Sequence, residues 1–235
     1  MDAVTRRQLD MGARALDFSR EHPDASPGSA LALAGLEEQL KTADALAAEQ
    51  QDGIRAVRAA TARKRELREE MNRSHLLNAA RAGKAAAKEL PELAQTFEFR
   101  RERSPYAEFR TRAQTMAAAA DANKEVLVKY GLADTSFEAL KKALADFDAA
   151  TEQWMAGRLM HVAASAKLGA VAAEIVKIVK VMDGLNVYRF RDQPDLLAAW
   201  KSASKVRDFT RTPPEEGTPE GEVPPAPPPG EVKAA

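Results

Sequence analysis

Three features of the sequence predict an all-α fold. Apolar residues recur at three- and four-residue steps over long stretches, the spacing of a helix face packed against a core. Ala and Leu are abundant while aromatics make up only 6% and charged residues 30%, a balance that favours helix over sheet. No segment reads as a strand, a turn and a second strand. The architecture that follows is an elongated antiparallel bundle of two αα-hairpins, each a short helix followed by a long one; residues 1–103 and 104–206 are candidate half-repeats of an internal duplication, the alternative being chance alignment of Ala-rich helices.

The elements can be justified in order. Leu9, Ala13, Leu16 and Phe18 share one face of a first helix from about Val4 to Ser19. Pro23, Pro27 and Gly28 break it. A long helix opens near Ser29, its stripe formed by Leu33, Leu36, Leu40, Ala43, Ala47, Ile54 and Val57 and carried on by Leu67, Met71, Leu76 and Leu77. Gly53 lies within it at a cost of about 1 kcal/mol relative to Ala. Pro91 marks an end or kink, because proline lacks the donor and clashes with the preceding turn. Ser104 reads as an N-cap with Pro105 at the first helical position, opening a third helix that runs to about Tyr130 and stops at Gly131. Thr135 or Ser136 caps the next long helix, whose stripe includes Phe137, Leu140, Leu144, Phe147, Trp154, Val162, Leu168, Ile175, Val179 and Met182. A short helix from Pro194 to about Ser204 closes the bundle at about residue 206. The remainder, 207–235, is a Pro- and Glu-rich tail holding eight of the chain's 13 prolines from Thr210 onward. It has too little apolar bulk to offset ordering entropy and reads as disordered, partly polyproline II.

The halves resemble each other. "LEEQLKTADALAAEQQDGI" from Leu36 superposes on "LKKALADFDAATEQWMAGR" from Leu140 at an offset of 104, matching Leu40 with Leu144, Asp44 with Asp148 and Gly53 with Gly157. "PELAQTF" at Pro91 matches "PDLLAAW" at Pro194 at an offset of 103, each ending in an aromatic, Phe97 or Trp200. "VMDGLNVYRFRDQPDLLAAW" therefore reads as the place where a long helix ends, the chain reverses and a large aromatic plugs the core.

"KEVLVKYGLADTSFEALKKALADFDAAT", "MDGLNVYRFRDQPDLLAAWKSASKV" and "GKAAAKELPELAQTF" together resemble a group of all-helical bacterial proteins of similar length from high-GC soil bacteria. The resemblance spans most of the chain to about Val206. That group has no assigned activity, so it implies a helical fold and no catalytic residues.

Composition narrows function. Lys plus Arg and Asp plus Glu are each 35, so net charge argues for neither a nucleic-acid nor an acidic-surface partner. With no Cys, disulfides and thiolate chemistry are excluded. The first residues read as a short amphipathic helix rather than a secretory leader, and no run of about 18 apolar residues occurs. The expectation is a cytoplasmic protein without membrane insertion.

The motif search finds no catalytic or cofactor pattern. A di-iron bundle needs Glu-x-x-His pairs, but Ser19, Asn72 and Arg158 precede His22, His75 and His161 by three. No nucleophile elbow or phosphate loop occurs. The expectation is no metal, no cofactor and no enzyme activity. Two surfaces remain as candidates. "IRAVRAATARKRELREEMNR" carries seven basic and three acidic residues, and Arg63, Lys64 and Arg65 at its centre would form a basic face for nucleic acid, although no aromatics interleave with them. Tyr188, Arg189 and Arg191 could form an interaction patch at a helix end; the alternative is that Tyr188 and Phe190 fold inward while the arginines pair with Asp183, Asp192 or Asp195. Gln50, Thr151 and His161 are polar residues at core positions, the support for a ligand pocket or enzyme. The leading expectation is a non-catalytic structural or interaction module that binds a protein partner or itself. The alternatives are a nucleic-acid binder and a ligand carrier or enzyme.

Overall fold

The computed structural model describes residues 1–99 and 104–207. The elements are α1 (Ala3–Glu21), α2 (Pro27–Glu70), a π-helical turn (Met71–His75), α3 (Leu76–Ala86), α4 (Leu93–Thr96), α5 (Tyr106–Ala122), α6 (Lys124–Lys129), α7 (Thr135–Arg189) and α8 (Pro194–Ala203). Among the described residues there is no strand, and the all-α expectation holds. The tail from 208 onward lies outside the described residues.

The frame is an antiparallel pair formed by α2 and α7. Their buried positions repeat every seven residues. On α2 these are Leu36, Ala43, Gln50, Lys64 and Met71, with Gly53, Ala60 and Leu67 between them. On α7 they are Leu140, Phe147, Leu168, Ile175 and Met182, interleaved with Ala143, Ala150, Gly157 and Ala164. A seven-residue repeat keeps one seam facing the partner only if the helices wind gently around each other, left-handed. At 55 residues, α7 runs about 80 Å at 1.5 Å per residue.

The helices come closest at two glycines. A Cβ on Gly53 would lie 2.7 Å from the His161 backbone nitrogen and 2.9 Å from the Gly157 carbonyl oxygen; one on Gly157 would lie 3.0 Å from the Ala56 Cβ and 3.1 Å from the Gly53 oxygen. Large side chains are therefore absent from this part of the seam, and the apolar bulk sits at the two ends. One end joins α1, the start of α2, the end of α7 and α8 around Met11, Phe18, Leu36, Ile175, Phe190 and Trp200. The other joins the end of α2, α3, α4, α5, α6 and the start of α7 around Met71, Phe97, Phe109, Leu127, Phe137 and Phe147. Between the ends, α2 and α7 form a two-helix waist.

Positions matched in the sequence occupy matching places. Gly53 and Gly157 face each other, and Phe97 and Trp200 are each buried at opposite ends. The offset falls from 104 to 103 between Ile54 and Pro91, and the π turn lies in that interval. A π turn carries one residue more than an α turn.

Helix ends follow local chemistry. The Asp2 carboxylate accepts from the Thr5 N–H at 2.8 Å, and Ser26 caps α2 with Pro27 in its first turn. Gly131, with φ of 93°, ends α6 by the expected left-handed turn: the Leu132 N–H donates to the Leu127 carbonyl and the Gly131 N–H to that of Val128, each at 3.0 Å. Three expectations need correction. The third helix is not continuous to Tyr130 but divides at Asn123, whose side-chain amide donates to the Ala119 carbonyl at 2.9 Å. Ser104 does not cap α5; its carbonyl accepts from Arg68 and its hydroxyl from Arg112, and α5 begins at Tyr106. Thr135 is the first residue of α7, which has no side-chain cap.

The glycine crossing generates a paired prediction. Gly53→Ala should lower stability by about 1–3 kcal/mol, since the new methyl meets backbone that cannot move aside and overpacking outweighs the better helix propensity. Gly169→Ala has nothing within 4 Å of the added Cβ and should raise stability by up to about 1 kcal/mol. Urea denaturation of the two variants measures both.

Candidate functional site: the two-helix waist and its aromatic ends

The basic stretch on α2 does not present one continuous face. Lys64 is only 7% exposed. Its ammonium lies 4.9 Å from the Tyr106 ring centroid and 4.8 Å from that of Trp154. Burial pushes its pKa below the ordinary lysine value. Arg68 lies over Tyr106 and Phe109, and Arg158 lies over the Trp154 ring at 5.5 Å. The result is a ladder of alternating rings and cations: Phe109, Arg68, Tyr106, Lys64, Trp154, Arg158. The expectation of a face centred on Lys64 is corrected by this packing. Arg63 and Arg65 are exposed and pair along their own helix with Glu66 at 3.4 Å and Glu69 at 3.3 Å. Aromatics do interleave with the basic residues, but in space rather than along the chain.

The stretch from Val181 to Trp200 closes the opposite end. Trp200 is fully buried, and its indole N–H donates to the Asp183 carboxylate at 2.8 Å. Phe18 packs against both Phe190 and Trp200, with centroids 5.8 and 5.4 Å away. Phe190 folds inward as one expectation had it; Tyr188 does not. It is 74% exposed, with the Arg191 guanidinium over its ring, and Arg191 pairs with Asp192 at 3.0 Å. Arg189 pairs with no carboxylate among the described residues. It donates to the carbonyls of His22 and Pro23 at 2.9 and 2.8 Å and fastens the α1–α2 loop to the end of α7. In that loop Asp24 accepts from the Ser29 hydroxyl and from the N–H and hydroxyl of Ser26, which hold its pKa at about 2.

Of the polar core residues, Gln50 and His161 meet through Ser165, and Thr151 bonds within its own helix. The Gln50 amide donates to the Ser165 hydroxyl at 2.6 Å, and the Thr151 hydroxyl donates to the Phe147 carbonyl at 3.0 Å. The His161 Nδ1 is buried without a hydrogen-bond partner among the described residues, while its carbonyl accepts from Ser165. No three His, Asp or Glu side chains among the described residues are placed to hold a metal ion.

One surface was not anticipated. On α7 the two apolar end clusters stop at Ala150 and resume near Val171. Between them Gly157, Ala164 and Leu168 face α2, while Met155, Leu159 and Val162 are 54%, 71% and 55% exposed. Met155 and Leu159 are each two residues from Gly157, and Val162 is two from Ala164, which places them on the far side of the helix. Val162, which the sequence periodicity places on the packed stripe, lies instead on this outer face. The same length of α2 is charged outside, with Lys41, Asp44, Asp52, Arg55 and Arg58 all exposed.

Comparison with protein-family models, with curated proteins and with solved structures finds no match. Among the described residues no helix is long and apolar enough to cross a membrane.

Two outcomes follow for the aromatic end. Trp200→Ala should cost about 3–5 kcal/mol, the usual range for a large buried ring, whereas Tyr188→Ala should leave the unfolding midpoint within error. Asp24 is an acid with a depressed folded-state pKa, so its contribution exists above its ordinary value of 3.8 and is lost as pH falls through about 2. The melting difference between wild type and Asp24→Ala should therefore be present at neutral pH, shrink below about pH 4 and vanish near pH 2.

Proposed function

We propose that this chain is a non-catalytic protein-interaction module whose working surface is the waist of α7. The observation that carries this reading is that α7 is apolar on both sides there. A helix with apolar residues on opposite faces is normally buried on both, yet Met155, Leu159 and Val162 face solvent. The two end clusters already hold the chain together, so these side chains add little to its own core.

The module's two-ended form, which we read as a duplication, is supported by the facing glycines and the paired aromatic plugs. The nucleic-acid reading has less support. The cations nearest the rings are spent on them, and Arg63 and Arg65 are paired within α2. The pocket reading likewise draws little from Gln50 and Thr151, whose side chains are already hydrogen-bonded inside the bundle.

A photo-crosslinking residue placed at Leu159 in the native host tests the reading. Discrete protein adducts are expected from position 159 and not from Asp44 on the outer face of α2. Equal labelling from both positions, or none from either, would remove the basis for an interaction surface at the waist.

A further inference from the structure

The outer face of α7 does not suit any partner equally; its pattern is self-complementary. We propose that the waist of α7 pairs antiparallel with the waist of α7 in a second copy of this chain, about a twofold axis at Leu159. This rests on the interaction reading above and names its partner.

The apolar part of the face is short and symmetric. Leu159, the most exposed large apolar side chain of the waist at 71%, lies at its centre. Met155 and Ala156 lie on one side, and Val162 and Ala163 on the other, all exposed. Turned end for end about Leu159, Met155 of one copy meets Ala163 of the other, Ala156 meets Val162, and the two Leu159 side chains meet on the axis. Large opposes small in both outer layers, as closely packed helices require. A closed twofold contact demands this reciprocity: whatever one residue meets, its counterpart meets in return.

The charges follow the same symmetry with opposite sign. Glu152 lies seven residues before Leu159 and Lys167 eight after it. Both are exposed, and neither makes an ion pair or hydrogen bond among the described residues. The antiparallel register brings Glu152 of each copy against Ala166 of the other, beside Lys167, so the interface gains two equivalent ion pairs. A parallel pairing in register would set Glu152 against Glu152 and Lys167 against Lys167. Electrostatic complementarity of this kind chiefly fixes orientation and register. The only charged residue between Met155 and Ala166 is Arg158, already held over Trp154 within its own chain. Pairing two waists also converts each bare two-helix section into part of a four-helix cross-section, covering the second apolar side of α7.

Sedimentation equilibrium of the full chain tests the proposal. The wild type should dimerise reversibly below about 100 µM, within the range of a specific contact of modest size. Leu159→Asp should raise the dimer Kd more than about tenfold, as expected at the centre of an interface. Glu152→Lys and Lys167→Glu should each raise it several-fold, while the double variant, with both charges inverted, should return close to wild type. All three positions are exposed, and unchanged melting curves will show that the variants fold. A monomeric wild type, a dimer indifferent to Leu159→Asp, or charge variants that weaken additively without rescue would each overturn self-pairing. If the chain is monomeric yet crosslinks from position 159 to other proteins, self-pairing fails and the interaction module stands. If position 159 captures nothing at all, both fail.

Discussion

Everything in this molecule depends on how closely α2 and α7 approach at Gly53 and Gly157. A Cβ on either glycine would press into the partner helix, so the axes run close only because no side chain intervenes. The seam on either side holds Ala43, Ala60 and Ala164, with the buried Gln50 as its one larger polar side chain near the crossing. Small residues allow close packing but bury little apolar area, and area is what drives burial. The apolar bulk must therefore collect elsewhere. It does so at the two ends, where Phe18, Phe190 and Trp200 form one cluster and Phe97, Phe109, Phe137 and Phe147 contribute to the other. The short helices dock there; beyond the α1 N-terminus, whose ammonium donates to Gln50 at 3.0 Å, the waist is left as a bare pair.

Features set by neighbouring residues were legible in the sequence. The apolar periodicity, the stop at Gly131 and the proline-led closing turns all depend on side chains a few positions apart. Features set by long-range contact were not. Gly53 read as a tolerated cost of helix propensity, because its reason is Gly157, 104 residues away. Lys64 read as part of a basic face, because Tyr106 and Trp154 reach it only in three dimensions. The π turn was not legible: the offset between the matched stretches changes by one residue between Ile54 and Pro91, but a change of offset does not say where or in what form a residue is accommodated. Tyr188 and Phe190 show the limit of proximity: two positions apart on a helix is more than half a turn, so one is exposed and the other buried.

The candidate surface was hidden for a related reason. A stripe that faces α2 and a stripe that faces outward are both apolar at three- and four-residue steps, and either could be the core. Periodicity alone puts Val162 on the packed stripe, but the structure puts Ala164 there and turns Val162 to solvent. Which side of α7 is free follows from where α1 and α5 dock. Those positions are fixed by contacts such as Gly12 against Ile175 and Arg110 against Asp148. The functional reading is thus a consequence of packing rather than of any local motif.

The antiparallel register of α2 and α7 can be measured directly, because the chain has no cysteine and accepts paired spin labels without background. Asp44 and Lys167 are exposed and lie level across the waist in the register set by Gly53 and Gly157, whereas Glu152 lies 15 residues away along α7. Pulsed electron–electron distances should give a short separation for labels at 44 and 167. The 44–152 separation should be clearly longer, because an axial displacement of about 22 Å, at 1.5 Å per residue, adds in quadrature to the lateral separation. Equal distances, or the reverse order, would contradict the glycine-centred pairing on which the whole account rests.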